Sequence, residues 1–278
     1  MSGLADAGAG CVHLQPVRPL SPFPPSTTSP LFGDGRLPIV DVARGVAIAQ
    51  MIAYHLCYDL NYFSWIHAAL TREAGWIAWR TAIVTQFLFL VGVSLALRTT
   101  AAGAIVPSGV RFWRRWIQIA GCAGLVSLAS GWLFGPRWIW FGVLHFVAVA
   151  QLLLVPVVRL GPLNLLLGMV ALAVGAMVHL SPFAADTLSW IGFSPSKPQT
   201  EDFVPLLPWL GVVLLGIGAT NLCKRSDAPA ARWLRASGAG AWPVLALLGR
   251  WPLTVYMLHQ PLLFAALYLL EALRQSLA

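Results

Sequence analysis

From residue 38 onward the chain alternates between long apolar runs and short connectors in which the basic residues gather. Seven runs, at about 38–59, 76–97, 113–134, 138–158, 162–180, 203–222 and 251–271, each approach the ~20 residues that a helix needs to cross a bilayer. The pattern predicts an all-α, polytopic membrane helix bundle of about seven transmembrane helices. The piece 241–250 is too short to cross alone and predicts a half-helix or re-entrant segment leading into the last span. No internal repeat of 20–50 residues and no long soluble insertion interrupts the series.

Composition sharpens this picture. Of 278 residues, 58% are hydrophobic and only 10% charged, and the mean hydropathy is +0.74. Soluble domains run about 45–50% apolar and roughly 25% charged, so this apolar excess does not fit in one soluble core. Disorder over the whole chain is excluded by the same figures. Residues 1–35 differ: Pro16, Pro19, Pro22, Pro24, Pro25 and Pro30 crowd a Ser/Gly-rich stretch with no basic region leading into an apolar core. That stretch predicts a disordered tail rather than a signal peptide, leaving 36–278 as one transmembrane domain. Cys11, Cys57, Cys122 and Cys223 show no CxxC spacing and are expected to be small packing residues.

The 18 Lys+Arg against 10 Asp+Glu give a formal charge of +8. Basic residues confined to short loops mark orientation in a membrane rather than nucleic-acid binding. The second loop carries Arg98, Arg111, Arg114 and Arg115, and the sixth carries Lys224, Arg225, Arg232 and Arg235. The fifth carries Asp186, Glu201 and Asp202 against Lys197 alone. Seven spans then place the N-terminus in the cytoplasm and the C-terminus outside. Nearly all the positive charge is arginine, which favours a GC-rich bacterial genome and hence the inner (cytoplasmic) membrane. Trp76, Trp138, Trp140 and Trp251, near span ends, are expected to be interfacial anchors.

Candidate chemistry lies in polar residues within the apolar runs. Asp41, Arg44, His55 and Asp59 fall on one stripe of the first span, about 60° wide and some 27 Å long. A charge at the bilayer centre costs about 2.5–3.5 kcal/mol on insertion scales, so this stripe should face a protein interior or a watery cavity. His55 supplies a group that takes a proton near neutral pH, and Arg44 a planar fork for phosphate or carboxylate. His145 lies within the fourth run. In the last, Tyr256, His259 and Gln260 are spaced i, i+3 and i+4 and share a face, with Pro261 predicting a kink. No HxxxH or Cys–His spacing suggests a metal. Such histidines suit an enzyme cavity, and equally the proton relay of a small transporter or permease, the alternative function.

The pattern Asp41-x-x-Arg44-Gly45, followed by Tyr54-His55 and Asp59-Leu60, resembles the heparan-alpha-glucosaminide N-acetyltransferase catalytic-domain family. The Arg44-x10-His55 spacing is also similar to the signature of the wider acyltransferase 3 group. The segments Phe87–Ser94, Phe141–His145 and Tyr256–Pro261 carry the likeness onward, so that it covers about residues 36–270. The resemblance implies a membrane enzyme that transfers an acetyl group from acetyl-CoA, its donor substrate, to an amino sugar or other envelope glycan. It assigns the catalytic role to His55, with Arg44 as its partner. Asp41 joins them at the site, and Asp59, His145, Tyr256, His259 and Gln260 are substrate-binding candidates. The residue patterns themselves point to no metal, no nucleic acid and a bilayer as surroundings, with room for a homo-oligomer. Whether His55 acts as general base or first carries the acetyl group itself is open at this level.

Overall fold

The computed structural model describes residues 37–98, 109–225 and 242–277. It divides after residue 35 into the N-terminal stretch and a helical body. The expected disordered tail lies outside the described residues. The body is built from helices α1 (Pro38–Tyr62), α2 (Ala74–Leu97), α3 (Val110–Phe134), α4 (Val143–Leu154), α5 (Leu163–Met177), the single turn α6 (Asp186–Ser189), α7 (Leu206–Arg225), α8 (Pro243–Arg250) and α9 (Pro252–Leu277). Among the described residues there is no strand, only an isolated bridge between Phe141 and Phe203.

All seven apolar runs form helices, and five of them, those corresponding to α1, α2, α3, α7 and α9, are long and apolar enough to cross a membrane. The fourth and fifth form shorter apolar helices. With 12 and 15 residues, α4 and α5 rise about 18 and 22 Å at 1.5 Å per residue, short of a full hydrocarbon core. The causes are local. Residues ahead of Gly142 run extended to meet Phe203, and Pro156, Gly161 and Pro162 separate α4 from α5 through a short 3-10 turn at Val157–Leu160. Pro261 sits inside α9, which continues through it as one helix.

The helices expose apolar side chains outward, as lipid-facing helices do. Trp132 is 87% exposed and Leu128 75% on α3, and Tyr268 67% on α9. The main core joins α2, α4 and α7 through Leu88, Leu95, Phe146, Leu154, Val213 and Ile217. Helices approach this closely only where a side chain is missing. A Cβ on Gly92 would strike the Val213 carbonyl of α7, and one on Gly216 the Phe89 carbonyl of α2. A Cβ on Gly211 or Gly218 would likewise strike Gly168 or Leu165 of α5, so the three α7 glycines are packing residues.

The half-helix expected ahead of the last span is α8, and its contacts define its direction. A Cβ on Gly45 would strike the Leu245 carbonyl, and one on Gly249 the Asp41 carbonyl. Rising residue number on α8 therefore meets falling number on α1, so α8 runs antiparallel to the first turns of α1. After the Arg250–Trp251 turn, α9 runs parallel to α1, with Gln260 beside Asp59 and Phe264 beside Tyr62 and Phe63. The body thus has an Arg44 end and a His55 end, separated along α1.

Candidate active site between the first and last helices

At the Arg44 end, Asp41 and Ser94 both hold the guanidinium. Nη1 donates to Asp41 Oδ1 at 2.5 Å and Nη2 to Ser94 Oγ at 2.8 Å. Ser94 in turn donates to the Leu90 carbonyl at 2.6 Å, so α1 is tied to α2. Lys224 Nζ reaches the Ala96 carbonyl at 2.5 Å. Arg98, at the end of α2, is pushed down to about 10 by partial burial and by the neighbouring Arg115 and Arg44 charges. Cations from α1, α2, α3 and α7 therefore gather at one end of the bundle.

About 16 Å along α1 from Arg44, His55 meets the last helix. Its ring centroid lies 5.0 Å from that of His259, the planes inclined at 62°. The Tyr54 ring is 6.1 Å from His55, and the Tyr256 ring 5.7 Å from His259. His259 is buried, and its Nδ1 lies 2.7 Å from the Tyr256 carbonyl, which only accepts, so Nδ1 carries the proton. His259 Nε2 is then the nitrogen with the free lone pair, and it is buried without a hydrogen-bond partner among the described residues. The next residue, Gln260, donates through Nε2 to Asp59 Oδ1 at 2.7 Å, one turn beyond His55, while Asp59 Oδ2 and Gln260 Oε1 have no partner among the described residues. Met51, Tyr54 and Ile83, with Trp76, Trp79, Phe87 and Tyr256 packed around them, form an apolar wall beside the pair. Trp76 thus packs inward against Tyr54 and Trp79, at 6.2 and 5.8 Å, rather than standing alone at an interface.

The structure brings five of the eight candidates together: His55, Asp59, Tyr256, His259 and Gln260. Arg44 and Asp41 share the same helix but sit at its other end. His145 makes a different set of contacts. Its Nδ1 accepts the Gly142 N–H at 3.2 Å, so Nε2 donates to Ser127 Oγ at 3.0 Å, and Ser127 donates to the Ile139 carbonyl at 2.7 Å. Both ring nitrogens are used, and they join the start of α4 to α3.

Charges beyond the candidates also face this region. Asp202 Oδ2 accepts the Val143 N–H at 2.8 Å, satisfying a donor in the first turn of α4, and Asp202 lies within electrostatic reach of Tyr256. Burial pushes the Asp202 carboxyl up, against the Val143 hydrogen bond and the Lys197 and Arg80 charges. Burial pushes the Lys197 ammonium down, as does Arg80, against the pull of Asp202 and Glu201. Tyr58 donates to Glu201 Oε2 at 3.1 Å, and Glu201 pairs with Arg137 at 3.0 Å. The fifth loop is therefore folded onto the His55 end. From sequence alone these loop residues read as orientation signals only. Arg80 carried the sharper signal, since it is a charge inside the second apolar run, the argument that singled out Arg44. Among the described residues no three His, Cys, Asp or Glu side chains converge as a metal site would require.

A family model described as Heparan-alpha-glucosaminide N-acetyltransferase, catalytic, matches residues 36–261. That range includes both ends of the site, from Arg44 to Gln260. No curated protein and no solved structure matches the chain.

Proposed function

Because the chain belongs to the heparan-alpha-glucosaminide N-acetyltransferase catalytic-domain family, we propose that this multi-pass membrane protein takes an acetyl group from acetyl-CoA and delivers it to an amino sugar or another envelope glycan. The observation that carries this reading is the His55–His259 pair, two imidazoles 5.0 Å apart between apolar helices. A bilayer protein keeps titratable groups at such a depth for function, since their insertion is costly. The transporter alternative is not favoured, because the matched family is one of transferases.

In this mechanism acetyl-CoA enters at the Arg44 end. The cations there, Arg44, Arg98 and Lys224, suit the phosphates of the donor, and arginine's fork suits them best. The pantetheine arm has the length to follow α1 toward His55. The acceptor arrives at the other end. Its amine or hydroxyl attacks the thioester carbonyl carbon, and the carbon–sulfur bond breaks. The proton lost by the acceptor passes to His55 and from there to the departing sulfur. His259, with Nδ1–H held by the Tyr256 carbonyl, offers Nε2 as a fixed acceptor beside His55 and stabilises the imidazolium. A route through acetyl-His55 would use the same ring nitrogen, so one substitution tests both.

The experiment is acetyl-CoA turnover by the detergent-purified full chain. His55→Ala should lower kcat at least about 10²-fold, since positioned acid–base catalysis supplies about 10²–10⁴. His55 is half-buried and forms no hydrogen bond among the described residues, so the variant should melt within a few degrees of wild type. A variant retaining more than a tenth of wild-type activity would remove His55 from the catalytic role.

A further inference from the structure

The α1–α2 loop builds a concavity at the His55 end that nothing in the catalytic reading uses. It is a cleft of 420 Å³, lined by Tyr58, Asn61, Tyr62, Thr71 and Arg72 among others. That volume lies within the range of small-molecule sites, about 300–1,000 Å³. On α1 the residues climb from the histidine toward this cleft: Tyr58 and Tyr62 are about 60° and 20° from His55 in phase, and about 5 and 10 Å along the axis. The cleft therefore opens on the same face that carries His55, one to two turns above it.

Its lining is chemically specific. Tyr62 is 64% exposed, yet backed by Phe63 and Phe264 rings at 5.4 and 5.3 Å, a fixed aromatic platform open on one side. Asn61 Oδ1 accepts the Ala68 N–H at 2.8 Å, which fixes the loop and leaves the amide nitrogen as a donor. The acids nearby are engaged. Glu201 is paired with Arg137, and Glu73 Oε1 accepts the Ala69 N–H at 3.2 Å. Arg72 is exposed and makes no side-chain hydrogen bond or ion pair among the described residues. An aromatic face, neutral hydrogen-bonding groups and one uncommitted guanidinium match a sugar ring that carries an anion.

We propose that this cleft is the acceptor subsite and that Arg72 selects amino sugars bearing a phosphate or carboxylate. The proposal rests on the acetyltransferase reading for its link to His55, but binding can be tested without turnover. Glucosamine, glucosamine 6-phosphate, muramic acid and inorganic phosphate are titrated calorimetrically into the purified full chain, with no acetyl-CoA present. At least one of the two anionic sugars should bind wild type and His55→Ala about tenfold or more tighter than glucosamine, as a charge-assisted contact allows. Which of them does so distinguishes phosphate from carboxylate recognition. Arg72→Gln should abolish the advantage, Arg72→Lys should keep part of it, and Tyr62→Ala should weaken all three sugars. Both side chains are exposed, so these variants should fold, and melting curves check that. Equal binding of glucosamine and both anionic sugars, or an advantage that survives Arg72→Gln, overturns the proposal. Inorganic phosphate binding as tightly as the sugar phosphate also overturns it, since the cleft would then read the anion alone. Absence of acetyl transfer by wild type, with sugar binding intact, would count against the catalytic reading and leave the subsite standing.

Discussion

Gln260 donates to an Asp59 carboxylate that is fully buried, and that one bond stitches the last helix to the first beside the histidine pair. The consequence is measurable. Asp59→Ala would strand the Gln260 amide in an apolar interior, a cost of about 1–3 kcal/mol. Asp59→Asn keeps an oxygen at the same place and no charge to desolvate. The alanine variant should therefore melt clearly lower, and the asparagine variant close to wild type, by thermal unfolding in detergent. Equal melting of the two would show that the bond contributes nothing. The sequence already held each half of this contact: Asp59 fell on the α1 stripe with His55, and Tyr256, His259 and Gln260 shared a face. What it lacked was the meeting of the two faces, because helical spacing describes one helix at a time. His145 looked equivalent to His55 by the same criterion, an imidazole within an apolar run. Only the positions of Ser127 and Gly142 show that both of its nitrogens are spent on joining α3 to α4.

Among the elements, α8 shows how a short helix positions a site it does not enter. Its antiparallel contact with α1 depends on Gly45 and Gly249, where added side chains would strike backbone carbonyls of the partner helix. Backbone does not yield as a side-chain tip does, so Gly249→Ala must push α8 away from Asp41. Overpacking of this kind costs about 1–3 kcal/mol. Since Asp41 holds Arg44, the same variant should raise the KM for acetyl-CoA more than it lowers kcat. Gly75→Ala is the control, because a Cβ there meets open space. The control should leave melting and KM near wild type, and a Gly249→Ala protein that behaves like it would refute the packing argument. The existence of α8 was legible, since the ten residues 241–250 ahead of Trp251 were too few to cross. Its direction was not, because that is set by which glycine faces which carbonyl. For α4 and α5 the reverse held: the apolar runs 138–158 and 162–180 extend past the ends of both helices, and the helical backbone does not.

Across the whole molecule, charge is segregated along the direction of the helices. Arg44, Arg98 and Lys224 lie at the end where α1 begins and where α2 and α7 finish, whereas Asp202, Glu201 and Lys197 belong to the loop folded over the other end. Short cytoplasmic loops concentrate arginine and lysine, so the Arg44 end should face the cytoplasm, the compartment that supplies acetyl-CoA. Donor and acceptor would then approach one histidine pair from opposite sides, and the sugar cleft beside Tyr62 and Arg72 would open outside. This orientation is testable without any activity. A cysteine at Ser196, in the loop that carries Lys197 and Glu201, should react with a membrane-impermeant thiol reagent in intact cells. One at Ser108, in the basic connector after α2, should react only after lysis. The native cysteines at 57, 122 and 223 are half-buried within helices, and a parent lacking them and Cys11 removes their background. The opposite labelling pattern would put the histidine end in the cytoplasm. Acetyl-CoA would then have to enter beside the sugar cleft, and the basic end would lose its role as the donor's entrance.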